Sequence, residues 1–502
     1  MPYMADMMPE LVLVSETDAT AARRARRLAA KGTLKQLHPS IYTSKVDSPP
    51  EAIVLRHWQA IMGHLLPGGV ISHRSAFDSR PHEGRLTITR GKTRRDLSLP
   101  GLTVHIVPGP GPQLVYPVPD SRFGTLYVAS DPRRFLENLT RGRGWGPRVL
   151  PQPALEAALD RILMVGGPKR LNQLRDHARE IAPLLGYDAQ FKRLDRLIGA
   201  LLGTHKVKYL TAQQTLARAA GRPYDPDRLE IFNILFTALN QAVLENVRDP
   251  APTGVAREDF AFFEAYFSNY IEGTTFEVEE AEAIIFDGKI IENRSADSHD
   301  ILGTFHVATN APWRDRPPPN ADEFLVWLRN VNALVMQQRA DKKPGEWKDR
   351  PNQTGGTYFV MPELVVGSLR EGFERIGALN HPLAQAIMIM FIVTEVHPFT
   401  DGNGRTARLA MNCMLSAQGF SRIIIPTVYR EDYLLPLKAL SHNKIAEPLI
   451  SCLSRAQRWS AAFDYSLPRS KLRESLAQCN AFQEDLRSYK LLFPPAKLVN
   501  NS

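Results

Sequence analysis

The stretch from His381 to Gly419 constrains the fold more than any other part of the chain. "HPLAQAIMIMFIVTEV" is apolar almost all round, and a helix without a polar face has to lie inside a core. Its longest apolar run, Ala384 to Val396, is 13 residues and already contains Gln385, Thr394 and Glu395, whereas a membrane span needs roughly 20. Pro398 pushes His397 out of α geometry and so ends the helix. "GRTARLAMNCMLSAQG" then begins a second helix, closed by Gly419 as a C-cap. The turn between them, "HPFTDGNG", brings together an imidazole, a carboxylate, an asparagine and two glycines, and two arginines follow directly.

Each of these groups has a chemical use. Gly402, Asn403 and Gly404 let backbone N–H groups face a ligand at a helix N-terminus, which is a ready anion site. Arg405 and Arg408 share a face of the first turn, at the positive end of the helix dipole. Two cations there call for an anion, either a bound phosphate or acidic residues from elsewhere in the fold. Asp401 beside a phosphate would be repelled without a divalent cation between them, which points to Mg2+. His397 could be a core histidine, a zinc ligand or a general base. No second ligand stands at a spacing such as HExxH, so a base is the favoured role. Phe399 is a core anchor that fixes the turn.

"HPFTDGNGRTAR" resembles the Fic family motif HxFx(D/E)GNGRxxR at every defined position. The resemblance runs over roughly residues 258–460. It implies an all-α domain with a β-hairpin flap that binds ATP and Mg2+ and transfers AMP to a protein Ser, Thr or Tyr hydroxyl. By that resemblance His397 takes the proton from the attacking hydroxyl, and Asp401 holds Mg2+. Asn403 and the amides around Gly402 and Gly404 cradle the α- and β-phosphates, Arg405 holds the β-phosphate, and Arg408 the γ-phosphate. Relatives that phosphorylate carry lysine at the position of Gly404, so glycine favours adenylyl transfer. Gly91-Lys92-Thr93 looks like the end of a P-loop, but Leu86 stands where its upstream glycine is needed.

Upstream, "SNYIEG" resembles the family's inhibitory motif (S/T)xxxE(G/N). Ser268 and Glu272 are four apart and share a helix face. By resemblance Glu272 pairs with Arg408, fills the γ-phosphate site and leaves ATP unproductively placed. "NQTGGTYFVMPELV" is the expected flap, with Thr357, Tyr358, Phe359 and Val360 as an extended edge that aligns a target segment by strand addition.

The charge is uneven. Of 62 Lys+Arg and 53 Asp+Glu in all, residues 1–230 hold 34 and 21, a net of +13, and the remainder is net −4. A basic front half joined to a mildly acidic back half suggests two jobs, with a solvated basic surface as the plainer account. "GTLKQLHPSIYT" and "VISHRSAF" resemble the winged-helix domain of AbiEi-type abortive-infection antitoxins, and "FGTLYVASDPRRFLENL" resembles the start of their second domain. That resemblance implies a DNA-facing surface from Arg23, Arg24, Arg26, Arg27, Lys31 and Lys35, with Lys92, Arg94 and Arg95 on a wing. "VPGPGPQLVYPVP" and "RDPAPTG" are candidate linkers.

The expected architecture is therefore multidomain and mainly α. It has a winged helix over 1–110, an α/β or helical middle domain over 111–247, a Fic domain over 248–465 and a tail over 466–502. Cys413, Cys452 and Cys479 are scattered without metal spacing, which suits a reducing cytoplasm. There is no secretory signal pattern and no membrane partner is expected. A homodimer stays open. The leading function is an autoinhibited protein adenylyltransferase. The alternatives are a DNA-binding regulator that uses the Fic fold as an ATP sensor, and an enzyme that removes AMP from a modified protein.

Overall fold

The computed structural model describes residues 8–495 apart from 16, 116, 142–147 and 486, so the end of the expected tail, 496–502, lies outside the described residues. The chain is mainly helical and divides into two compact units, Met1–Ala220 and Gly221–Ser502.

The first unit opens with a three-stranded antiparallel sheet in the order Leu11–Leu13, Ile41–Thr43, Lys35–His38. Helix Ala19–Ala30 is capped by the Asp18 carboxylate, which accepts from Ala21 N at 2.9 Å. Ala25 packs with Val14, Leu34 and Tyr42, while Arg23, Arg24, Arg26 and Arg27 are exposed.

A six-stranded mixed sheet follows, in the order Arg95–Leu99, Leu102–Val107, Arg85–Thr89, Val70–Ile71, Leu126–Val128, Ser121–Phe123. This corrects the expected wing. The strands on either side of residues 92–95 do not form one antiparallel hairpin, because Arg85–Thr89 runs parallel to Leu102–Val107 inside the larger sheet. Lys92, Arg94 and Arg95 instead lead into its edge strand.

The expected boundary at 110 also runs through this sheet, whose last two strands lie beyond it. "VPGPGPQLVYPVP" is no free linker. Buried Arg133 donates to the carbonyls of Pro110 and Gly111, both at 2.9 Å, and pairs with Asp120 at 2.6 Å and Glu137 at 2.8 Å. Helices Asp131–Asn138, Gln152–Leu185, Asp188–Leu201 and Gln213–Ala219 complete the unit, and the long one is bent at Gly167.

In the second unit Pro382–Val396 is the core helix, buried on every side as its composition requires. Asn403–Ser416 packs along it. Ala321–Val335, Ser295–Thr309 and Gly254–Ile271 pack next to Asn403–Ser416 and carry further site residues.

Pro226–Gln241, expected in the middle domain, belongs to this unit. Its Phe232 meets Phe391 edge-on at 6.2 Å. "RDPAPTG" is docked rather than free, with Asp249 N donating to Gly419 O at 3.2 Å and Ala251 buried. The expected tail is likewise packed. Leu472 and Leu476 are buried, and Phe482 stacks on Phe267 at 5.1 Å. Apolar area decides this, since the aromatic face of Gly254–Ile271 needs cover. Cys413, Cys452 and Cys479 are all buried. Among the described residues no helix is long and apolar enough to cross a membrane.

Candidate active site

His397 closes the core helix in the left-handed conformation, at φ 51° and ψ 60°. A residue other than glycine there costs on the order of 1 kcal/mol, so the surroundings must hold it. They do so through the main chain of the turn. Asn403 receives Phe399 N on Oδ1 at 2.8 Å and donates Nδ2 to Phe399 O at 2.9 Å. Asn352 Nδ2 donates to Phe399 O at 3.0 Å and His397 O at 3.3 Å. Lys348 Nζ donates to Asn352 Oδ1 at 2.7 Å and Val396 O at 3.2 Å, and its N–H reaches Pro398 O at 2.9 Å. Asn332 Nδ2 holds Asp401 O at 3.0 Å, and Trp347 stacks on Phe399 at 5.1 Å. Gly402 sits at φ 76°, where a Cβ would come within 2.7 Å of Met336 Sδ.

The Asn403 side chain is committed to the turn, leaving its backbone N–H, with those of Gly404 and Arg405, as the unpaired donors of a helix start. Asn332, Trp347, Lys348 and Asn352 went unread in the sequence. Asn332 lies on helix Ala321–Val335, and the other three lie in "KKPGEWKDRPNQTGG", which has no periodicity to give them away; the one cue was a tryptophan in an otherwise polar loop.

The His397 ring is held at one nitrogen and on one face. Nδ1 lies 3.2 Å from Thr394 O, and because a carbonyl only accepts, Nδ1 carries the hydrogen. Phe359 stacks on the ring at 3.8 Å with planes 7° apart. Burial pushes the imidazole down to about 4. The ring is thus neutral near pH 7 with its lone pair on Nε2. Burial, with the Arg228 charge, lowers Lys348 to about 7.

Thr357–Tyr358 pairs with Gln353–Thr354 as a hairpin, placing the expected flap beside His397. The flap edge is shorter than expected: Phe359 leaves the strand for the His397 ring, and Val360 is buried.

Both arginines are met by acids. Arg405 Nη1 lies 2.6 Å from Asp300, itself 1% exposed, and 3.2 Å from Asn269 Oδ1. The acid that meets it has no motif spacing to it and is shared with Arg339, whose Nε lies 2.8 Å from the same carboxylate. Arg408 Nη2 donates to Glu272 Oε1 at 2.7 Å and to Ser268 O at 2.8 Å, and Nε donates to Ser268 Oγ at 3.0 Å. Glu272 is the C-cap of Gly254–Ile271, and its N–H bonds Asn269 O, which frees the Ser268 carbonyl for the guanidinium. Burial acts to raise the Glu272 pKa, but Arg408 outweighs it and the carboxyl is held below its ordinary range.

The same carboxylate lies over the helix start, since a Cβ built on Gly404 would fall 2.1 Å from Glu272 Oε1. The Asp401 side chain is 41% exposed; its Oδ1 lies 3.8 Å from Arg405 Nη2 and accepts from Gly402 N at 2.6 Å. Among the described residues no group of three His, Cys, Asp or Glu forms a metal cage. A lone carboxylate still suits Mg2+, which keeps several waters and takes phosphate oxygens for the rest.

The Fic/DOC family model matches residues 325–415, the stretch that holds the half-buried histidine, the glycine-cradled helix start and both arginines. The chain is similar to protein adenylyltransferase fic-1 of Caenorhabditis elegans, 25% identical over 236 residues, which covers 43% of this chain and 46% of that protein. It is similar to protein adenylyltransferase Fic of Culex quinquefasciatus, 28% identical over 187 residues, covering 36% of this chain and 37% of that one. The chain thus spans less than half the length of the curated relatives it matches. A Fic-domain signalling protein from Bacteroides thetaiotaomicron aligns at 21% identity and a TM-score of 0.37, covering 48% of this chain and 98% of its own.

Proposed function

We propose that the second unit transfers AMP from ATP to a hydroxyl of a protein, and that Glu272 holds this activity back. The observation that carries the reading is His397: a neutral imidazole, Nδ1–H spent on Thr394, Nε2 left as a base beside a helix start built for anions. Nε2 takes the proton of a Ser, Thr or Tyr hydroxyl as its oxygen bonds the α-phosphorus. The bond from that phosphorus to the oxygen bridging to the β-phosphate breaks, and pyrophosphate leaves with the electron pair. The N–H groups of Asn403, Gly404 and Arg405 stabilise the charge on the phosphate oxygens. Asp401 is the residue to hold Mg2+, which when bound neutralises phosphate charge. Glu272 places a carboxylate on that same helix start and on Arg408, so it competes with the nucleotide's own anions.

The test is labelling with ATP carrying a radioactive α-phosphate, in Mg2+, for wild type, Glu272→Gly and Glu272→Gly/His397→Ala. Label in the Glu272→Gly protein that vanishes with His397→Ala supports transfer. Equal label with and without the histidine rejects it.

A second reading is favoured by helix Ala19–Ala30, whose four arginines are exposed and, among the described residues, form no ion pair with a carboxylate. They form a surface for nucleic-acid phosphates. Affinity for duplex DNA should fall with salt at a log–log slope of about −0.9 per phosphate neutralised, and Arg24→Gln/Arg27→Gln should flatten it. An unchanged slope makes the surface one of solvation alone.

A further inference from the structure

The flap is held by a residue that lies outside the family match. Arg228 stands in the first turn of Pro226–Gln241. Its Nη1 donates to Glu395 Oε1 at 2.6 Å, and its Nη2 donates to the carbonyl of Tyr358. Glu395 is 2% exposed, lies two residues before His397 on the core helix, and takes a second bond on Oε2 from Ser441 Oγ. One planar guanidinium therefore bridges a buried carboxylate and the main chain of the flap, a geometry that a fork of fixed donors can satisfy.

The strand register says which edge this is. Phe359 N donates to Asn352 O at 3.2 Å, so Phe359 turns its main chain toward the partner strand and Tyr358, one residue earlier, turns its own outward. The carbonyl filled by Arg228 is thus on the outer edge, where a strand-like target would pair. Next to it Thr357 Oγ1 lies 2.8 Å from His442 Nε2, and Phe359 lies on the His397 ring.

We propose that Arg228 is a positioning residue for AMP transfer. It straps the flap to Glu395, which keeps Phe359 over the base, and it reserves the Tyr358 carbonyl, so a target segment laid on this edge accepts from the flap there and does not donate to it. This rests on the transfer reading above for its chemistry but not for its geometry.

The test is hydrogen exchange of the full chain over residues 353–360, with self-labelling by ATP in the Glu272→Gly background. Arg228→Gln should speed exchange in that segment at least about tenfold while residues 382–396 stay protected, since a charge-assisted bond is lost locally. Labelling should fall with the apparent KM for ATP unchanged. Arg228→Lys should restore only part, because an ammonium lacks the fork that reaches both acceptors at once. If Arg228→Gln unfolds by stranding Glu395, Arg228→Gln/Glu395→Gln removes the unpaired charge and is measured instead. Flap exchange equal to wild type in the folded variant overturns the strap. If no variant labels at all, the transfer reading fails while exchange still decides the strap.

Discussion

Removing Glu272 and removing Arg408 break the same contact, and the structure makes them differ in both stability and activity. Glu272→Gly leaves a guanidinium that is nearly buried, with a side-chain exposure of 6%. Stranding a buried charge costs about 3–5 kcal/mol. Here Ser268 Oγ and O still accept from Arg408, and the glutamate side chain is 32% exposed, so about 2 kcal/mol is the better figure. For a unit of this size that is a fall of about 4–8 °C in its melting transition. ATP supplies new anions to Arg408 and the helix start, so saturating ATP should restore most of that loss and stabilise the variant more than wild type. Labelling should rise together with that nucleotide response. Arg408→Ala should also melt lower, yet label no better than wild type, because the cation that would receive the nucleotide's anions is gone. The double variant should follow Arg408→Ala. The assay pairs scanning fluorimetry across an ATP titration with α-phosphate labelling. The reasoning is refuted if Glu272→Gly labels no more than wild type at saturating ATP and Mg2+, or if both single variants gain activity, which would indicate general loosening.

Other outcomes follow from the same geometry. With His397 held near 4, labelling should stay flat from neutral pH down to about pH 5 and fall below it, and His397→Ala should cost on the order of 10²–10⁴ in rate. The folded pKa of His397 lies below its unfolded value of 6.5, so this group makes the fold lose stability as pH drops from 6.5 toward 4; denaturation of the alanine variant should lack that slope. Phe359→Ala opens the ring to water, and the imidazole should titrate closer to 6.5 by NMR. Lys348 has a folded pKa of about 7 against 10.5 unfolded, so stability should rise across that interval, and Lys348→Met should flatten the rise in a urea series. Gly404→Ala should evict the Glu272 carboxylate, seen as a lower melting transition without nucleotide.

The parts of the site legible in the sequence were those set by local rules. Pro398 fixed the end of the core helix, the glycines fixed the turn, and the helical spacing placed Arg405 and Arg408 on one face. The partners that balance these groups were not legible, because they come from distant positions without periodic spacing. Asp300 reaches Arg405 across more than a hundred residues, and Lys348 and Asn352 reach the turn from an irregular loop. The pairing of Arg408 with Glu272 was foreseen from resemblance alone; no rule of spacing predicts it. In the first unit, the neighbours of each strand were not legible either. The parallel pairing of Arg85–Thr89 with Leu102–Val107 depends on how strand Arg95–Leu99 crosses to the edge, which alternation does not encode.

Gly404 has a consequence for how such a chain can change. The Glu272 carboxylate rests where any Cβ would be, so Glu272 and a side chain at 404 would compete for one volume. Any side chain placed there would at the same stroke unseat the glutamate. The two positions are therefore linked through a single missing methyl group, and a lineage that kept the Glu272–Arg408 pair could explore other residues at 404 only by first moving that carboxylate elsewhere.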